Sequence, residues 1–251
     1  SWSGGAILSS AMNSPKVDRS LALHLWNDKP FGWVAATNGP CMAAADKFTI
    51  TLQGKGGHGA APYLAHDPII ASAQIITALQ TVVSRNINAL DSAVLSMTSV
   101  KGGEAFNVIP DSVVMLGTVR TFTSEVRDRV MKRFEEIVIG LAKVMECEAK
   151  IEYHTTTAAV LNDAAMSAEV RELAKAMPGV TTVTDSERTM GSEDMAYMMQ
   201  TVPGCYFFIG SANAEKGLNF PHHHPRFDFD ERALAQGAAL MAQAAARYVL
   251  K

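Results

Sequence analysis

The sequence predicts an α/β protein in which a helix-covered mixed sheet is interrupted by an inserted ferredoxin-like α+β unit. Three observations point there. The middle of the chain reads as strand-helix-strand-strand-helix-strand. The flanks carry short, continuous apolar runs, Ser20 to Trp26 and Cys205 to Gly210, of the kind that form buried strands beneath helices. Helical periodicity fills much of the remaining C-terminal flank. The expected division is 1–43 and 158–251 for the outer α/β layer and 44–157 for the insert.

Within the insert, Phe48, Ile50 and Leu52 alternate with Lys47, Thr49, Thr51 and Gln53, a half-buried strand. The glycine-rich loop Gly54-Lys55-Gly56-Gly57-His58-Gly59 follows. Asp67-Pro68 supplies an N-cap and a proline at the first helical position for an apolar helix to about Arg85. A second strand is expected from Ala93 to Val100, and a third through Val113, Met115 and Val119 to Phe122. Ser124 is expected to cap a helix whose stripe is Val126, Val130, Phe134, Ile137, Leu141 and Val144. Ala149, Ile151 and Tyr153 alternate in a fourth strand. In the C-terminal flank, helices are expected over Asp163 to Met177, Ser192 to Gln200 and Asp230 to Leu250.

Bulk properties exclude several classes. A formal net charge of -3 does not suit a general nucleic-acid binder, which must neutralise many phosphates. No apolar run is long and charge-free enough to span a bilayer as a helix, so no membrane partner is expected. The first residues, Ser1 to Gly5, have neither the basic nor the apolar region of a secretory signal. Cys41, Cys147 and Cys205 are widely spaced and form no CxxC pair, which suits buried thiols in a reducing, cytoplasmic setting.

Several polar residues stand out against this background. His24 interrupts the apolar run Leu21-Ala22-Leu23-His24-Leu25-Trp26. A buried imidazole needs a partner for each ring nitrogen, either a hydrogen bond within the core or a metal. His222, His223 and His224 precede Pro225, and on an extended segment at most two of them can face one site; an exposed polar turn is the competing reading. His58 is flanked by glycines that free the backbone to place one ring. His66 and His154 read as surface residues. Arg120 lies in a strand, where it is either solvent-facing or able to grip a carboxylate through two parallel hydrogen bonds. Asn107 suits a turn or an amide donor to a polarised carbonyl. Glu193 and Asp194 open a helix, where the dipole alone accounts for acidic side chains.

Taken in order, the segments Leu23 to Trp26, Gly54 to Pro62, Phe106 to Asp111, Gly117 to Phe122, Gly191 to Met195 and His223 to Glu231 resemble the metallopeptidase family of aminoacylases, hippurate hydrolases, auxin-conjugate hydrolases and related carboxypeptidases. The resemblance covers essentially the whole chain. It implies hydrolysis of the amide bond of N-acyl amino acids or small dipeptide-like substrates by a pair of divalent ions (zinc, manganese, cobalt or nickel). It implies that His24 and His223 are metal ligands, His223 being the histidine two before the proline. It also implies that the insert is a lid and dimerisation domain of a homodimer. His58 would reach into the partner's site to stabilise the tetrahedral oxyanion, Asn107 would help hold the same region, and Arg120 would bind the substrate carboxylate. The family's HxCGHD-type and QPAEE-type segments, which supply further ligands and the general base, do not occur in this sequence. The resemblance therefore implies an N-terminally truncated hydrolase, inactive and holding metal weakly or not at all without that segment. The alternative is a non-catalytic, lid-mediated dimer or binding protein of the same descent.

Overall fold

The computed structural model describes residues 7–9, 12 and 17–250. Its strands are β1 (Ser20–Pro30), β2 (Trp33–Ala35), β3 (Gly39–Met42), β4 (Ala44–Gln53), β5 (Gly57–His58), β6 (Ala93–Lys101), β7 (Val108–Ile109), β8 (Ser112–Thr121), β9 (Glu148–Thr157), β10 (Val160–Asn162), β11 (Thr182–Thr184) and β12 (Gly204–Ala212). Its helices are α1 (Pro68–Asn86), α2 (Ser124–Val144), α3 (Ala164–Lys175), α4 (Met195–Met199) and α5 (Arg232–Val249). They fall into two units: the described part of Ser1–Met42 with Ala159–Lys251, and Ala43–Ala158.

In the first unit a mixed sheet has the order β1-β12-β2-β11. β12 lies parallel to β1 and antiparallel to β2, in a register that sets His24 beside Phe208. Strand alternation sorts the side chains onto two faces. Leu21, Leu23, Leu25, Cys205, Phe207 and Ile209 enter a core with Met166 and Val170 of α3 and Leu240 and Ala244 of α5. The alternate residues His24, Trp26, Tyr206 and Phe208 occupy the other face. β12 is buried through Ser211, as a central strand should be, whereas most of β1 is only half-buried. The apolar run of β1 reads like that of a central strand, but among the described residues β1 pairs on one side only.

The second unit is an antiparallel sheet in the order β6-β8-β4-β9. Phe48, Ile50 and Leu52 of β4 and Val113, Met115 and Val119 of β8 pack against Ile75 and Leu79 of α1 and Val130, Phe134 and Val138 of α2. Gly117 is required where it stands: a Cβ there would collide with the Phe48 ring and the Ser96 carbonyl. Asp46 is 1% exposed and takes two hydrogen bonds from the Arg127 guanidinium, at 2.7 and 2.8 Å, and one from the Thr155 hydroxyl at 2.8 Å. A carboxylate buried this way is tolerable only because it is paired.

Three helix starts differ from expectation, α5 beginning at Arg232 rather than Asp230. Thr123, not Ser124, caps α2, its hydroxyl accepting from Val126 N–H at 3.3 Å. α4 has five residues rather than a run from Ser192 to Gln200. Ahead of it, the Glu193 carboxylate accepts from the Asp194 N–H and the Tyr206 hydroxyl. Asp67 behaves as read, accepting from Ile69 and Ile70 N–H at the start of α1. All three cysteines are free and buried. Burial pushes the Cys41 and Cys205 thiols up to about 12.

Candidate metal and substrate site

The half-covered face of the first unit's sheet gathers the most chemistry. The His24 ring lies 5.0 Å from that of His222 and 5.8 Å from that of Trp26. His24 Nδ1 is 2.5 Å from the Leu25 carbonyl. A carbonyl only accepts, so this nitrogen donates, and in the neutral ring Nε2 then keeps its lone pair. Metal-binding histidines are commonly oriented in this way, one ring nitrogen donating to a backbone carbonyl and the other facing the ion.

Trp26 forms the floor. Its ring is 4.7 Å from Phe208 and 5.4 Å from His222, and its indole N–H donates to Glu187 at 3.3 Å. Glu187 also pairs with Lys29 at 3.3 Å. On the same face the Tyr206 hydroxyl donates to Glu193 at 2.9 Å. Burial first, then the Glu193 charge, hold that phenol well above its ordinary value, so it remains a donor.

The histidine run does not form one cluster. His222 packs against His24, Trp26 and Phe227, and its Nε2 accepts the Asn27 N–H at 3.1 Å. Burial pushes its imidazole below the ordinary value, with His24 adding to the shift. His224 stacks on Phe220 at 4.6 Å, and its Nδ1 accepts from Arg226 N–H. His223 lies between them, exposed, with φ at 66°. A residue with a Cβ in the left-handed region costs on the order of 1–2 kcal/mol, and such strain collects at functional sites. The structure thus brings His222, not the expected His223, against His24 and leaves His223 exposed.

Asn27, Trp26 and Glu187 were not singled out by the sequence. Trp26 ends the apolar run that carries His24 and Asn27 follows it, but nothing local marks their partners, which lie far along the chain.

In the second unit, β5 and β7 form a two-stranded ribbon that sets His58 opposite Val108. Gly59 N–H donates to the Asn107 carbonyl at 2.8 Å, so His58 and Asn107 share one exposed corner. His58 Nδ1 accepts the Ala60 N–H at 3.0 Å. In the neutral ring this puts the proton on Nε2 and makes that atom an outward donor. Arg120 is half-buried on β8, between Ala45 and Val94 and on the face opposite Val119. His66 pairs with Glu146 at 3.1 Å, and His154 is exposed on β9.

Imidazole nitrogens suit divalent transition ions, and the His24 geometry fits that role. They supply only part of a donor set: among the described residues, no three His, Cys, Asp or Glu side chains are grouped to hold a metal ion. Nor, among those residues, is any helix long and apolar enough to cross a membrane.

Residues 2–247 match the peptidase family M20/M25/M40, and the chain belongs to that family. It is 38% identical over 231 residues to an N-acetyl-L-cysteine deacetylase of Bacillus subtilis (strain 168), covering 92% of this chain and 54% of that protein. It is 34% identical over 239 residues to the IAA-amino acid hydrolase ILR1-like 4 of Arabidopsis thaliana, covering 94% of this chain and 54% of the relative. Among solved structures it resembles the Bacillus subtilis YXEP protein, a dinuclear metal-binding peptidase of the M20 family. The TM-score is 0.80 at 30% identity, over 97% of this chain and 60% of the other. The chain therefore spans little more than half the length of these relatives.

Proposed function

We propose that these residues serve a metal-dependent amidohydrolase that cleaves the amide bond of N-acyl amino acids or small dipeptide-like substrates. The observation that carries the reading is the orientation of His24, protonated at Nδ1 by its bond to the Leu25 carbonyl and open at Nε2, with the exposed His223 on the neighbouring loop. His24 and His223 would hold part of a divalent pair, zinc, manganese, cobalt or nickel, whose other ligands come from beyond this donor set. When bound, the pair supplies Lewis acidity at the scissile carbonyl.

The chain's own residues do the rest. His58, with Nε2–H turned outward, donates to the oxygen that becomes negative as the carbonyl turns tetrahedral. Asn107 holds the same corner through its carbonyl bond to Gly59. Arg120 grips the free carboxylate of the substrate. The unit Ala43–Ala158, read as a ferredoxin-like insert, acts as the lid and as the dimer interface, and His58 serves the partner's site. Three buried free thiols favour a reducing, cytoplasmic compartment.

The test is release of free amino acid from N-acyl amino acids by the protein expressed from its full native reading frame, with each candidate metal added in turn. His24→Ala and His223→Ala are expected to abolish turnover. His58→Gln should cost about 10²–10³ in kcat, and Arg120→Met should raise KM for carboxylate-bearing substrates over their amides. Turnover that survives both ligand substitutions overturns the reading.

A further inference from the structure

Three adjacent histidines differ in what they are tied to, and the segment that carries them is anchored at both ends by one side chain. Asn27, three residues after His24, is 1% exposed. Its Nδ2 donates to the Phe220 carbonyl at 2.7 Å and to the Asp228 carbonyl at 3.0 Å, the two ends of the segment that carries the histidines. Its Oδ1 accepts from Ser211 at 2.9 Å. Two carbonyls must be met by an NH2 group and one hydroxyl by an oxygen, so the orientation of the amide is decided. The backbone N–H of the same residue donates to His222 Nε2 at 3.1 Å.

Between those anchors, His222 is fixed by its bond to Asn27 and its packing on Trp26 and Phe227. His224 is fixed by its Nδ1, by its backbone bond to Pro221, and by the Phe220 ring, over which the Arg226 guanidinium sits at 4.1 Å. The ring of His223 takes no hydrogen bond from any described residue, and its backbone is held left-handed. Strain of this kind persists only when the surroundings over-determine it.

We propose that Asn27 and His222 are positioning residues that clasp the 220–228 segment against β1 and present His223 beside His24, so that the run contains two structural imidazoles and one offered outward. This rests on reading His223 as a ligand, and it specifies how its geometry is set. Because Asn27 and His24 share one strand, a single clasp fixes the loop relative to the strand that bears the first imidazole.

The test needs neither metal nor turnover. The metal-free chain is treated with diethylpyrocarbonate, and the adduct on each histidine is located by peptide fragmentation. A tied ring reacts only after local opening, so His223 is expected to react about tenfold or more faster than His222 and His224. Asn27→Asp keeps the size and the Ser211 bond but turns both donors into acceptors, and should bring the three rates together. His222→Leu should expose His224 in the same way. His222→Gln, whose carbonyl oxygen can take the place of Nε2, should restore the protection of His224. Ile209→Val, a core change in the same unit, should leave the order intact. If Asn27→Asp does not fold, the His222 pair decides. Equal rates in the unaltered chain, or His222 reacting fastest, overturns the proposal; so does an unchanged order in both Asn27→Asp and His222→Leu. A protein from the full native reading frame that shows no hydrolase activity with any candidate metal, while the predicted order holds, would sink the proposed function and leave the clasp standing.

Discussion

His58 and His223 are both exposed imidazoles, and they are held by opposite means. His58 is set by its immediate neighbours: the Ala60 N–H two residues on, and a glycine on either side that lets the ribbon β5–β7 close. His223 is set by one residue, Asn27, which reaches the two ends of the loop across sequence separations of 193 and 201. The local arrangement can survive disturbance of its own unit's core as long as the turn closes. The distant one depends on the β1–β12 pairing that brings Asn27 and Ser211 together. The two imidazoles should therefore differ sharply in their response to core damage.

The largest expected effect tests the distant half of that difference. Phe207 is fully buried at the centre of β12. Phe207→Ala should destabilise its unit by about 4 kcal/mol through lost burial and the cavity left behind. Hydrogen exchange should then speed up across β1, β12 and the 220–228 segment, with the β5–β7 ribbon unaffected. Equal acceleration at His58 would erase the contrast. The next effect comes from the other side. Asp46→Asn removes the charge that pairs Arg127 inside the second unit, and should cost about 3 kcal/mol in denaturant unfolding, because a partly buried guanidinium loses its partner. Exchange should rise in β4, α2 and β9 while protection of Asn27 and His222 stays as it was.

The same contrast explains what the sequence reveals. Asp67-Pro68, the glycine-rich loop around His58 and the alternation in β4 are readable because cause and effect lie within a few residues. The first half of the α2 stripe, Val126, Val130 and Phe134, is readable from its period; beyond it the core takes Val138 and Ala142, Ile137 and Leu141 are half-buried and Val144 is exposed, and the cap shifts by one residue because Thr123 and Ser124 are chemically interchangeable there. Further from such local signals, reading falters. The half-buried state of β1 depends on where in the sheet it lies, which composition does not encode. Glu193 reads as a helix-opening acid until Tyr206, thirteen residues on, is seen to hold it. Within the histidine run, spacing alone leaves open which rings are structural. The different ties of His222, His223 and His224 become visible only once β1 and the 220–228 segment are side by side.

The smallest effect sharpens the local half of the comparison. Asp67 ends the loop that begins at Gly54. Its carboxylate accepts from Ile69 at 2.8 Å and Ile70 at 3.3 Å, closing α1 just after the Lys55–His66 bridge. Asp67→Ala leaves those N–H groups to water and should cost about 1 kcal/mol, with Asp67→Ser recovering most of it. If His58 is held by its own turn, the Nδ1 bond to Ala60 should survive the lost cap, and long-range proton–nitrogen spectra should still report an unprotonated Nδ1. The cap and the imidazole share the loop from Gly54 to Asp67 but no hydrogen bond, so a stability loss without a change in tautomer is the outcome that local control requires. A tautomer that changes with the cap would mean that the loop acts as one unit, and that His58 depends on α1 much as His223 depends on β1.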